Sequence, residues 1–134
     1  MEMREGTYFI GDPCYVLGDP QERWEKYLDE YGFKTQGDVG TFEGHNVFAA
    51  GTAHGDGVFF GSDGVKYGVD AGLIGATPIE LWEENYEMQY LRRLGCIVLF
   101  TKPFEAHATN GHFVIGDIEI ETEDDDGELS FEGE

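Results

Sequence analysis

Basic residues are scarce in this chain. Eight Lys and Arg stand against 28 Asp and Glu in 134 residues, a formal net charge of −20. So few cations argue against direct binding of nucleic acid or of an anionic membrane. Three readings of the acidity stay open: a basic protein surface as partner, solubility in high salt (only four residues are lysine), or plain colloidal stability. Cysteine is nearly absent too. Cys14 and Cys96 lie far apart with no CxxC pair, which excludes zinc-finger spacing. Two reduced thiols in an intracellular protein are the default, and no cofactor is expected. Long apolar runs are missing: the start, MEMREGTYFIG, has no signal-type core, and no run approaches membrane length. The expectation is a cytoplasmic protein without a membrane partner. Enzyme signatures are missing as well, with no P-loop, GxSxG or HExxH. Gly55-Asp56-Gly57 falls inside a hairpin pattern, so it is no dinucleotide loop. An enzyme is the less expected outcome.

Glycine and aromatic residues are plentiful, with 20 Gly and an aromatic share of 14%. That is enough to bury a core in one domain of this length. The pattern centres on residues 44–76, where apolar runs alternate with Gly/Asp turns. Strands are expected at 46–52, 58–60 and 65–70, joined as an antiparallel meander by turns at 54–57 and 62–64. A short strand at 7–11 runs into Pro13, which bars continuation of a central ladder, and 15–17 is expected to be extended. A weak strand falls near 40–43. Residues 96–101, CIVLFT, read as a central strand buried on both faces. Strands at 104–108 and 112–115 flank the hairpin turn Asn110-Gly111. In 117–122, DIEIET, Ile118 and Ile120 should point inward and the carboxylates outward.

Two helices are expected. Asp19-Pro20-Gln21-Glu22 is a helix start, with a cap, a proline at the first position and a capping-box acid. Trp24, Tyr27, Leu28 and Tyr31 then make one apolar stripe. Thr77-Pro78-Ile79-Glu80 repeats that grammar, and Ile79, Trp82, Tyr86 and Tyr90 carry the second stripe. The fold class expected is mainly β: an antiparallel barrel or sandwich of about six to eight strands with two amphipathic helices packed on it. Residues 1–122 form the globular domain. Residues 123–134 form an acidic tail expected to be disordered, because carboxylates repel and little is left to bury. Leu129 and Phe131 are its exceptions. They either dock or form a short acidic-aromatic contact motif.

Candidate site residues are few. Cys14 is a candidate nucleophile only if a base such as His54 lowers its pKa; the bland reading, a buried thiol in a strand-ending turn, is favoured by a wide margin. Asp12, His54, Asp56 and Asp70 could gather at one sheet end as a ligand or general acid/base site, with Tyr67 as a further ligand candidate. Asp beside Gly is mainly turn chemistry, so this too is the minority reading. No metal is assigned. Ten of the 28 acids fall in 117–134, leaving −10 on residues 1–116. Glu83, Glu84 and Glu87, on the second predicted helix, are the candidate partner surface.

The ordered set FIGDPCYV (9–16), TAHGDGVF (52–59) and YGVDAGLIG (67–75), followed by Pro103-Phe104 and 116–122, resembles small uncharacterised proteins of tailed-phage and bacterial genomes. The resemblance spans nearly the whole chain and implies an accessory-genome setting. It assigns no activity and no catalytic residue. Phe59 stands where that pattern leads one to expect tyrosine, which removes a hydroxyl role there. The reading that follows is a non-enzymatic binding or inhibitory protein acting on a basic host surface, in its extreme form a DNA mimic. The alternative is a small-molecule binder or hydrolase-like enzyme with an Asp/His/Cys site at one end of the sheet.

Overall fold

Alternation within short strands decides the architecture. In β2 (Gly6–Gly11), Tyr8 and Ile10 point to one side and Phe9 to the other, and all three are buried. A strand apolar on both faces needs cover on both. The computed structural model supplies it, describing residues 2–17, 21–31, 38–53, 57–70, 72–81, 91–109 and 111–122. β2 lies inside a five-stranded antiparallel sheet ordered β3-β4-β7-β2-β8, where β3 is Asp38–Phe42, β4 His45–Gly51, β7 Leu73–Pro78 and β8 Cys96–Phe100.

One face of this sheet presents Tyr8, Ile10, Phe48, Ala50, Ile74 and Ala76 to a second sheet. That sheet has four antiparallel strands in the order β1-β9-β10-β11: Glu2–Met3, Phe104–Thr109, His112–Ile115 and Ile118–Glu121. Its inward side carries Met3, Phe104, Ala106, Phe113, Ile115, Ile118 and Ile120. The other face of the five-stranded sheet, with Phe9, Val47, Ala49 and Leu73, is covered by helical segments. These are the single turn α1 (Cys14–Leu17) and the helix α2 (Gln21–Tyr31). Trp24 and Tyr27 of α2 stack 5.5 Å apart, and Tyr27 meets Phe42 edge-on at 5.3 Å. The result is three layers: helices, five strands, four strands. The fold is mainly β and sandwich-like, with no closed barrel among the described residues.

Several elements sit where the sequence places them. β9 and β10 join in a two-residue hairpin, with Thr109 opposite His112 and Gly111 at φ 86. Ile118 and Ile120 are buried and Glu119 and Glu121 exposed. Trp24 is a core residue, as its stripe demands.

Other expectations are corrected. The meander is interrupted: β4 pairs with β7 rather than with β5 (Gly57–Phe60), and β5 pairs with β6 (Lys66–Val69) as a separate two-stranded ribbon. The strand at β7 lies under the presumed helix start, so Thr77-Pro78 ends a strand and leads into a 3-10 turn at Ile79–Leu81. Residues 15–17 are helical, not extended, because the Pro13 carbonyl accepts the amides of Val16 and Leu17 at 3.0 and 2.8 Å. β8 is an edge strand instead of a central one, and Leu99 is 66% exposed. With eleven strands among the described residues, the count exceeds six to eight because several pieces have only two to four residues. The body of the second predicted helix, with Trp82, and the acidic tail lie outside the described residues.

Candidate functional site

Asp12 is the sequence-selected residue with the most definite placement. β2 ends at Gly11, and Asp12 and Pro13 connect it to the helical turn α1. Asp12 is fully buried. One carboxylate oxygen accepts the Cys14 amide at 2.9 Å, and the other accepts the Asp70 amide at 2.9 Å. Asp12 therefore clasps the end of β2 to the end of β6. Asp70 is exposed and joins through its backbone. Cys14 is half-buried and packs into the core on the helix side. Thus Asp12, Cys14 and Asp70 do come together at one end of the sheet, but through main-chain hydrogen bonds. His54 and Asp56 lie outside the described residues, as do Glu83, Glu84 and Glu87.

Tyr67 belongs to a different cluster. It is fully buried on the inward face of the ribbon, and its hydroxyl donates to Asp63 Oδ2 at 2.7 Å. The same hydroxyl lies 3.2 Å from the thiol of Cys96 at the start of β8, and that thiol is 3.9 Å from Asp63 Oδ2. Asp63 also accepts the Val65 amide at 3.1 Å, which closes the turn before β6. Burial pushes the Cys96 thiol up; the Tyr67 hydrogen bond opposes this and the Asp63 charge adds to it. Burial, then hydrogen bonding to Cys96 and Asp63, pushes the Tyr67 phenol far up. At neutral pH both keep their protons, so the cluster tethers the ribbon to β8 and offers no activated nucleophile. Neither cysteine is in a disulfide. Sequence reasoning missed Asp63 and Cys96 as partners. The only signals were a Ser-Asp-Gly turn and a thiol inside an apolar run.

The outer face of the four-stranded sheet gathers acid. The register places Glu2 opposite Glu105, His107 opposite Val114 opposite Glu119, and Thr109 opposite His112 opposite Glu121. All four glutamates are exposed, and none of the four strands contains Lys or Arg. His112 lies between two of them, with Nδ1 2.5 Å from Glu121 and Nε2 3.3 Å from Glu119. The hydrogen bond to Glu121 raises its pKa most, and Glu119 adds to this. Of these acids, the sequence pattern had pointed only to the outward side of 117–122.

A groove of about 110 Å³ opens beside Arg4, Tyr8, His45 and Glu80. That is below the range of pockets that enclose organic ligands. Among the described residues, no group of three or more His, Cys, Asp or Glu could hold a metal ion, and no helix is long and apolar enough to cross a membrane. The chain matches no family model, no curated protein and no solved structure.

Proposed function

We propose that this chain is a non-enzymatic binding protein that docks on a basic protein surface through the outer face of its four-stranded sheet. One observation carries the reading: Glu2, Glu105, Glu119 and Glu121 are exposed on one side of four strands that hold no Lys or Arg. Carboxylates fixed on a sheet form an ordered pattern, which favours a partner of matching charge and speeds encounter. An inhibitory role in a phage or accessory-genome setting belongs to the same proposal and rests on the motif resemblance. The DNA-mimic form has less support, because His107 and His112 interrupt the acids and the rows are short. The enzymatic alternative also has less to stand on. Both oxygens of Asp12 hold backbone amides, and Cys96 is kept protonated.

The test is charge reversal. Affinity capture of basic proteins from a host lysate should be strong at low salt and fall steeply as the screening length shortens toward about 8–10 Å. The variant E105K/E119K/E121K should lose that capture while keeping its circular dichroism spectrum. Capture that survives the reversal, or that ignores salt, would sink the reading.

A further inference from the structure

β8 is an open edge with an unusual setting. Its sequence, CIVLF, has no charge and no proline, and Leu99 is 66% exposed on it. Sheet proteins ordinarily blunt such an edge with lysine, proline or a bulge, because a bare ladder invites another strand. Ile97 to Phe100 have β2 on one side, and among the described residues no strand lies on the other. Toward its start the edge is partly covered, since the Gly68 amide donates to the Leu94 carbonyl at 3.0 Å. The charge around this edge is the reverse of the chain's. Residues 88–104 are the longest run without Asp or Glu in a chain of net charge −20. They hold three of its eight basic residues: Arg92 and Arg93 before the strand and Lys102 after it, all exposed.

We propose that the open edge of β8 is a docking site for an extended segment of another protein, uncharged in the middle and acidic at both ends, which adds to the five-stranded sheet as a further antiparallel strand. In this mode of binding main-chain hydrogen bonds supply the affinity, and side chains select the partner. The free stretch 97–100 sets the length, about 13 Å of strand. The direction follows from the sheet, in which every pair is antiparallel. Ile97 and Leu99 share one face by alternation, so an apolar side chain of the added strand beside Leu99 takes it out of water. Cations lie beyond both ends of the edge, so the segment needs a carboxylate beyond each of its own. A second copy of this chain fits poorly. Antiparallel pairing of two β8 strands brings Arg92 and Arg93 of one copy toward Lys102 of the other, like charge against like. At physiological salt, charges more than about 8 Å away are largely screened. The local cations therefore govern this edge, rather than the net charge of the chain.

A fluorescently labelled synthetic peptide, DEVTVTVED, tests this at about 0.15 M salt. Anisotropy should show saturable binding to the parent chain, and bound peptide should slow amide exchange at 97–100. Binding to L99K and to R92E/R93E/K102E should be weaker by about tenfold or more. These positions are exposed, so both variants should melt near the parent. The same peptide with its central amides N-methylated should not bind the parent chain, a result that needs no variant protein. Absence of saturable binding, equal binding of the methylated peptide, or binding that leaves exchange at 97–100 unchanged would overturn the proposal. So would slow exchange at 97–100 in the free chain that fades on dilution, since a second copy would then hold the edge.

Discussion

At the scale of single residues, the buried carboxylate of Asp12 carries the sharpest expectation. Asp12→Ala leaves the amides of Cys14 and Asp70 without their acceptor in a site closed to water. Hydrogen bonds to a charged group contribute about 1.5–3 kcal/mol each, so urea denaturation should show a loss of about 3 kcal/mol. Asp12→Asn keeps one acceptor oxygen and should lose about half as much. His112 gives the pH dependence. Its pKa is raised above the ordinary 6.5 by Glu121 and Glu119. A raised histidine stabilises the fold fully below its unfolded pKa and loses that contribution as pH rises through its folded pKa. Stability should therefore fall slightly from about pH 6.5 upward, by a fraction of a kcal/mol because the pair is solvent-screened. His112→Gln should flatten that step in melts taken across the range. Asp12 was legible as a residue that matters at the strand end; its role was not, because sequence cannot say which distant amide a carboxylate will meet.

Among the elements, β7 shows how packing overrides local grammar. Thr77-Pro78-Ile79-Glu80 has the form of a helix start, yet residues 73–78 are a strand between β4 and β2. Pro78 is accommodated because it closes the strand, and Gly75 allows the neighbours to come close. A Cβ at position 75 would lie 2.0 Å from the Phe48 carbonyl oxygen and 3.0 Å from the Ala49 Cα. Backbone cannot give way as a flexible side chain does, so Gly75→Ala should cost about 3 kcal/mol or more. Chemical denaturation of that variant should show it, and a change under about 1 kcal/mol would mean that β4 and β7 can spread. Strands with a clean alternation, such as 118–121, were legible, and so was the Asn110-Gly111 hairpin. β8 was misread because an apolar run fits a central strand and an uncovered edge equally well. The meander was misread because the turns at 54–57 and 62–64 say where the chain reverses, not which strand it rejoins.

The whole molecule joins strands that are far apart in sequence. β2 has β7 on one side and β8 on the other, so Gly6 pairs with Phe100 and Tyr8 with Pro78. β1 pairs with β9, placing Met3 opposite Phe104. The sheet class and the two-sided burial of residues 8–10 could be read from alternation, whereas these partnerships could not, since pairing over such separations leaves no local trace. They also impose an order in time. A ribosome delivers β2 early, and β2 must wait for about ninety more residues before its second neighbour exists. Until then Phe9 and Ile10 have no finished layer on either side. Loops of that length must close before their contacts reward the closure, so refolding from denaturant should take milliseconds to seconds, in the manner of other non-local β proteins. Stopped-flow fluorescence would check this, and a microsecond phase that recovers the full signal would contradict it. During synthesis, the strands made first, β1 and β2, are the ones that wait longest for a home.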